Sequence, residues 1–158
     1  ENNGVNLTNL HHKVARIQIN PTGNAVSVVE NITLSANKLL ILYINGDLNI
    51  NANISLQDNS GIVFVVKGNL HITEQVIQSD GFYLVDGVVN TTDNSGSGSP
   101  LVIHGGVFVS QNGRIFGTSR QIHDANIPSE KFIYEPKYLI NFAQSLGHTG
   151  MTWREVAP

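Results

Sequence analysis

Six histidines, twelve acidic residues and the serines near them are the groups in this chain able to do chemistry. His11 and His12 are adjacent, but no carboxylate follows until Glu30, which is too far for a local metal-ligand set, so they read as a polar pair near a terminus. His71 and His104 lie close to glycine-marked turns with no Asp or Glu set beside them by the local pattern, and they read as surface positions. His123-Asp124 could complete a hydrolase triad with Ser110 or Ser119, yet neither serine stands in the Gly-x-Ser-x-Gly context of a nucleophile elbow. Cysteine is absent, which removes thiolate ligands, cysteine nucleophiles and disulfides together. The acids Asp47, Asp58, Glu74, Asp80, Asp86 and Asp93 are spread along the chain. Cleaving a sugar bond needs a facing carboxylate pair, or carboxylate-bound Ca²⁺ with a basic residue, and only Asp86 keeps step with neighbouring positions, those of Lys67 and Asn45. No metal-ligand set and no cofactor motif emerges, and the chain reads as non-enzymatic.

The elements that must position these residues are read from pattern and composition. A chain of 158 residues with 41% hydrophobic content is one domain long and large enough for a core. Charged residues make up 13%, against about 25% in ordinary soluble domains, and the net charge is −3. There is no basic stripe to neutralise phosphates, so no nucleic-acid partner is expected. No apolar run approaches the ~20 residues of a membrane span, and no signal-peptide pattern opens the chain. It begins at Glu1 rather than Met, which fits a processed product or a piece of a longer protein. Its polar residues are chiefly Asn, Ser, Thr and Gln, a composition common on secreted bacterial proteins.

The segment "LYINGDLNINANI" (42–54) is echoed by "FVVKGNLHITEQV" (64–76). Aligning Gly46, Gly68, Gly87 and Gly105 gives steps of 22, 19 and 18 residues, each glycine preceded by an apolar run and followed by a short alternating one. Period-two alternation rich in Ile, Val, Phe and Tyr predicts strands. The step is too short for a propeller blade and has no crossover helix, so it predicts one coil of a β-solenoid, in which stacked coils bury a ladder of like residues. Leu48, Leu70, Val89 and Val107 form the first predicted inward column; Ile50, Ile72 and Val109 form the second, with Thr91 as its weak member. Asn49, His71, Asn90 and Phe108 are predicted to face outward. The glycines allow the backbone to turn corners where a side chain would collide.

The predicted fold is all-β, a β-solenoid of about four to five coils with a short C-terminal helix on an end or flank. Residues 1–38 form a strand segment and an irregular first coil, residues 39–117 the regular coils, and residues 118–158 a capping tail, within one structural domain. "NTTDNSGSGSP" (90–100) reads as a surface loop inserted between the third and fourth coils. The helix is expected to open at Pro136 and close at Gly147, with Leu139 and Phe142 packed on the solenoid. Tyr134, Tyr138 and Trp153 are candidate binding residues at that end. "VARIQI", carrying Val14, Arg16, Ile17 and Ile19, is a strand for which the glycine repeat assigns no partner, and it becomes a candidate assembly element that pairs with its own first coil or with a neighbouring copy. Four glycosylation sequons, at Asn6, Asn31, Asn53 and Asn90, read as solvent-facing asparagines.

The order "LLILYINGDLNI", "GIVFVVKGNLHI", "FYLVDGVVNT", "LVIHGGVFVS", "SEKFIYEPKYL" and "WREVAP" resembles the β-solenoid region of PilX-like, type IV pilus-assembly-associated surface proteins and similar bacterial proteins. The resemblance spans about residues 39–158, and its more specific elements are Tyr134-x-Pro136-x-Tyr138 and Trp153-x-Glu155-x-x-Pro158. It implies an extracellular or surface-attached structural module and brings no catalytic residues; the given sequence departs from the family in showing no hydrophobic N-terminal pilin helix, which speaks against a direct role as a pilin. The expectation is therefore a noncatalytic module of a bacterial surface appendage, forming a homo-oligomer or filament or joining other appendage subunits. The alternative is a carbohydrate-binding or polysaccharide-cleaving solenoid in which flank aromatics stack on a glycan.

Overall fold

The structure, a computed structural model, describes residues 14–21, 23, 25–91, 99–110, 116–117, 120, 122 and 126–145; for residues 14, 116–117 and 141–145 it describes the backbone path only. The chain winds as a β-solenoid of about four turns. The windings stack in three parallel ladders. The first ladder holds β1 (Val14–Ile19), β4 (Leu39–Ile44), β7 (Gly61–Val66), β9 (Gly81–Val85) and residues 105–109 of β11 (Leu101–Val109). The second holds β2 (Ala25–Val28), β5 (Asp47–Ile50), β8 (Leu70–Ile72), β10 (Val89–Asn90) and β12 (Phe116–Gly117). The third begins with β3 (Ile32–Leu34) and β6 (Ile54–Leu56), continues through the Ile54–Ser79 and Gln78–Val102 bridges into the first half of β11, and ends with β13 (Glu130–Tyr134).

Parallel stacking puts like residues over one another, and the core follows from that. Ile17, Leu42, Phe64, Tyr83 and Val107 form one inward column. In it the Phe64 and Tyr83 rings stack with centroids 4.8 Å apart and planes 2° apart, which is the strand spacing itself. Val26, Leu48, Leu70 and Val89 form another, continued by Phe116 in backbone register. Leu48, Ile50, Leu70, Ile72 and Val89 are buried, as the repeat predicts.

At the corner between the first and second ladders, Gly68 N–H donates to Gly46 O and Gly87 N–H to Gly68 O, both at 3.0 Å. A Cβ on Gly87 would stand 2.7 Å from the Gly68 carbonyl carbon, so the turn leaves no room for a side chain. Asp47 Oδ1 accepts the Asn69 amide at 2.7 Å, and Asn69 Oδ1 accepts the Val88 amide at 2.9 Å. Short polar side chains thus satisfy corner amides that the ladders leave free.

The sequence alignment goes wrong at its fourth glycine. Gly105 lies over Gly81, not over Gly87, and both glycines hold positive φ, at 133° and 130°. Val107 therefore sits above Tyr83 and Val109 above Val85, and both are half-buried rather than members of the Leu48 and Ile50 columns. Two further differences concern extent. β1, β2 and β3 form a regular winding, because they pair in register with β4, β5 and β6, and Gly23 lies in the link between β1 and β2 as Gly46 lies in that between β4 and β5. The solenoid also runs past residue 117, since β13 pairs with β11 from Glu130 to Tyr134.

The helix α1 (Pro136–Ser145) opens at proline, as expected, and lies against β7 on the outer side of the first ladder. Outward residues of that ladder would otherwise face water, yet Leu39, Ile41, Val63 and Phe82 form a second apolar cluster closed by Tyr138. Tyr138 is the packing residue. Leu139 is exposed, contrary to expectation, because it points away from this cluster; the Phe142 side chain and Gly147 lie outside the described residues.

Candidate functional site

The chemistry-bearing residues gather where the third ladder bends into the first, beneath the start of α1. Asp80 and His104 immediately precede the two register-matched glycines, Gly81 and Gly105, which makes them neighbours on adjacent windings. His104 Nδ1 lies 2.8 Å from Asp80 Oδ1. Asp80 is only 3% exposed, and its second oxygen accepts the Leu56 amide at 3.1 Å and Gln78 Nε2 at 2.9 Å. A buried carboxylate requires such a set of donors. With the carboxylate as acceptor, Nδ1 is the donor, the arrangement of a carboxylate-oriented imidazole.

No nucleophile accompanies this pair among the described residues. Ser79 bonds the Tyr83 hydroxyl at 2.6 Å inside the core, where burial pushes the Tyr83 phenol well above its ordinary pKa. Ser110 bonds Asp86 Oδ1 at 2.8 Å on the neighbouring corner. Among the described residues, no group of three or more His, Asp or Glu is placed to hold a metal ion. The pair joins two adjacent windings. The reading of His104 as lacking an acidic neighbour is corrected here: aligning Asp80-Gly81 with His104-Gly105 in the sequence would have found the contact, and the choice of Gly87 hid it.

Beside this pair lies an aromatic cluster. Phe82 is buried at its centre, with Phe108 stacked at 5.9 Å and Tyr134 and Tyr138 edge-on at 6.2 and 6.5 Å. Of the candidate binding residues, Tyr134 is 63% exposed, whereas Tyr138 is 5% exposed and packs against Leu39, Ile41, Val63 and Phe82. Burial first, and then the charges of Asp80 and Glu135, push the Tyr138 phenol up to about 12. Trp153 lies outside the described residues, as do His11, His12, Ser119, His123 and Asp124. Beside the helix-covered cluster runs a second outward column of the first ladder, Tyr43, Val65, Leu84 and Phe108 in register, in which Val65 packs against that cluster. Tyr43, Leu84 and Phe108 are exposed.

Of the candidate assembly residues, Val14, Arg16, Ile17 and Ile19 all belong to β1, which takes the first of its two options and pairs with β4 of its own chain. Ile17 and Ile19 face inward against the core, while Arg16 faces out.

One structural residue carried no signal in the sequence. Arg120 is 5% exposed and donates to Thr73 O (2.6 Å), Val76 O (2.9 Å), Ser99 O (2.9 Å), Thr91 O (3.2 Å) and Glu74 O (3.4 Å). Its guanidinium satisfies backbone carbonyls on both flanks of residues 92–98. Nothing in the local pattern "GTSRQ" marks such a role, because the acceptors come from three separate segments.

Among the described residues, no helix is long and apolar enough to cross a membrane. No protein-family model, curated protein or solved structure matches the chain.

Proposed function

We propose that this chain is a noncatalytic structural module of a bacterial surface appendage, extracellular and either pilus-associated or filament-forming. The observation that carries the reading is where the polar chemistry goes. Asp47, Asn69, Asp80, His104, Asp86 and Ser110 are each bonded to the next winding. A solenoid that spends its polar side chains on inter-winding ladders is a rigid spacer, and its contacts with other subunits fall to its flanks and ends. The column of Tyr43, Val65, Leu84 and Phe108 supports a lateral contact, since it runs along the solenoid as an apolar stripe.

Sedimentation velocity and electron microscopy of the purified chain test this reading, with the double variant Leu84→Ser and Phe108→Ser beside it. Concentration-dependent assemblies lost in the variant are expected. Monomeric particles at high concentration, in the presence of candidate appendage subunits as well as alone, would contradict it. A glycan-binding module is the second reading, favoured by the contiguous Tyr134, Phe82 and Phe108 rings. A glycan screen with Tyr134→Ala as control and a reducing-sugar release assay address it, and turnover of any polysaccharide would overturn the noncatalytic assignment.

A further inference from the structure

The first ladder carries apolar residues on both of its faces. Leu39, Ile41, Val63 and Phe82 point outward, yet none is more than 9% exposed, because Tyr138 of α1 closes over them. The adjoining column belongs to the same surface: Val65 packs against the cluster, and the Phe82 and Phe108 rings stack at 5.9 Å. A sheet apolar on both faces is the pattern of one covered on both faces. α1 covers only part of the outer face, since Tyr43, Leu84 and Phe108 are 43%, 41% and 49% exposed.

The helix depends on its docking. At 10 residues it is shorter than the ~12–15 that hold a helix in water, and it has no acidic residue in its first turn and no basic residue in its last. Lys137 stands instead at its positive end, 3.4 Å from Glu135 and 5.3 Å from the centroid of the Tyr138 ring. A helix of this kind unfolds when it leaves its seat, so docking and folding of α1 are one two-state event. Glu135 alone links it to β13, which lets α1 leave without disturbing the ladder.

Toward the corner the outer face is charged in a self-complementary way. Asp86 N–H donates to Val66 O at 2.9 Å, which sets Asp86 beside Lys67 on adjacent windings, two residues past Leu84 and Val65. Both are exposed, and among the described residues neither forms an ion pair. A two-fold axis along the strands, between β7 and β9, lays the windings of a second copy over the first in reverse order. Val65 then meets the second copy's Leu84, Tyr43 its Phe108, and Lys67 its Asp86, so the contact closes with two reciprocal charge pairs. Two sheets pack about 10 Å apart, the space that a docked helix itself fills, so α1 and the second copy exclude each other.

We propose that α1 is an autoinhibitory cover, and that its release lets the outer face of the first ladder join that of a second copy in antiparallel order. The inference rests on the lateral contact proposed above and names its partner and its regulation.

Sedimentation velocity of the full chain tests it, with circular dichroism to show that the strands are kept. Ile140→Pro breaks α1 at an exposed position, and Tyr138→Ala removes its anchor. Each should raise the association constant about ten-fold or more and stop at dimers, while Ile140→Ala stays at the parent value. In the Ile140→Pro chain, Lys67→Glu alone and Asp86→Lys alone should each lose the dimer. An equimolar mixture of the two should regain it as a heterodimer, because each new charge then meets its opposite. Unchanged association in both helix variants, association indifferent to Lys67 and Asp86, or no recovery on mixing would each overturn the inference. If Leu84→Ser with Phe108→Ser abolishes association of the parent while the helix variants do not raise it, the lateral contact stands and the autoinhibition falls; if that double variant changes nothing, both fall.

Discussion

Replacing Gly105 with alanine should unfold the molecule more readily than its small size suggests. Gly105 sits at φ 133°, where an L side chain is strained, and a Cβ there would land on the Gly81 carbonyl, with the carbonyl carbon at 2.7 Å. The obstacle is backbone held in the ladder, not the end of a movable side chain. Strained φ/ψ alone costs about 1–3 kcal/mol. Separating residues 105–109 from β9 adds to this by weakening the stack of Val107 on Tyr83. The expected loss is about 3 kcal/mol or more, which for a chain of this size lowers Tm by about 6–12 °C. Gly23 is the control, because a Cβ there meets nothing within 4 Å. Urea titrations followed by circular dichroism should show a lower midpoint for Gly105→Ala at unchanged m-value, with Gly23→Ala within about 0.5 kcal/mol of the parent. Equal stability of all three proteins would refute the placement of Gly105 over Gly81.

Leu70→Ala should cost about 2–5 kcal/mol by urea titration, since Leu48 and Val89 hold the cavity open from both sides. Arg120→Met should cost about 2–4 kcal/mol, because buried carbonyls lose a charged donor, and limited proteolysis should then cut preferentially within residues 92–98. Tyr138→Ala should cost about 3–5 kcal/mol and raise binding of a hydrophobic dye by uncovering Leu39, Ile41, Val63 and Phe82. Tyr138 keeps its proton more tightly when folded, with a pKa raised from 10.0 to about 12. Its contribution is therefore constant below pH 10 and falls as pH rises from 10 towards 12, so urea midpoints should decline over that window and decline less in Tyr138→Phe.

Much of this fold is legible in the sequence because parallel stacking repeats one pattern. Leu48, Leu70 and Val89 recur after corner glycines, and the β-solenoid class follows from them alone. The repeat misleads where winding length changes. Gly105-Gly106 offers the same spacing signal as the corner glycines, but Gly105 matches Gly81, inside a ladder, because β11 crosses two ladders without a corner. That single misalignment displaces Val107 and Val109 and conceals the Asp80–His104 contact. The first winding escaped the glycine alignment because its β1–β2 link, residues 20–24, is longer than the link 45–46 around Gly46, which moves Gly23 off the step, and its clearer repeats are Asn-Ile-Thr and Val-Ala-Arg-Ile. Arg120 was illegible for another reason: its acceptors are backbone carbonyls, which leave no trace in residue identity. The helix spacing places Tyr138 and Leu139 on one apolar side, but which of them packs depends on the outward residues of the first ladder being apolar as well as the inward ones.

The register of the stacked windings is the claim on which the rest stands, and the absence of native cysteine allows it to be measured by cross-linking. In-register outward residues on adjacent parallel strands have Cα atoms about 4.8 Å apart, within disulfide reach. The pairs Asn49→Cys with His71→Cys and Leu84→Cys with Phe108→Cys are register partners. The pair Asn90→Cys with Phe108→Cys is matched only by the glycine alignment of the sequence. Mild oxidation followed by intact mass and peptide mapping should show intramolecular disulfides in the first two double variants and free thiols in the third. A disulfide between positions 90 and 108, with free thiols at 84 and 108 in the other variant, would contradict the account.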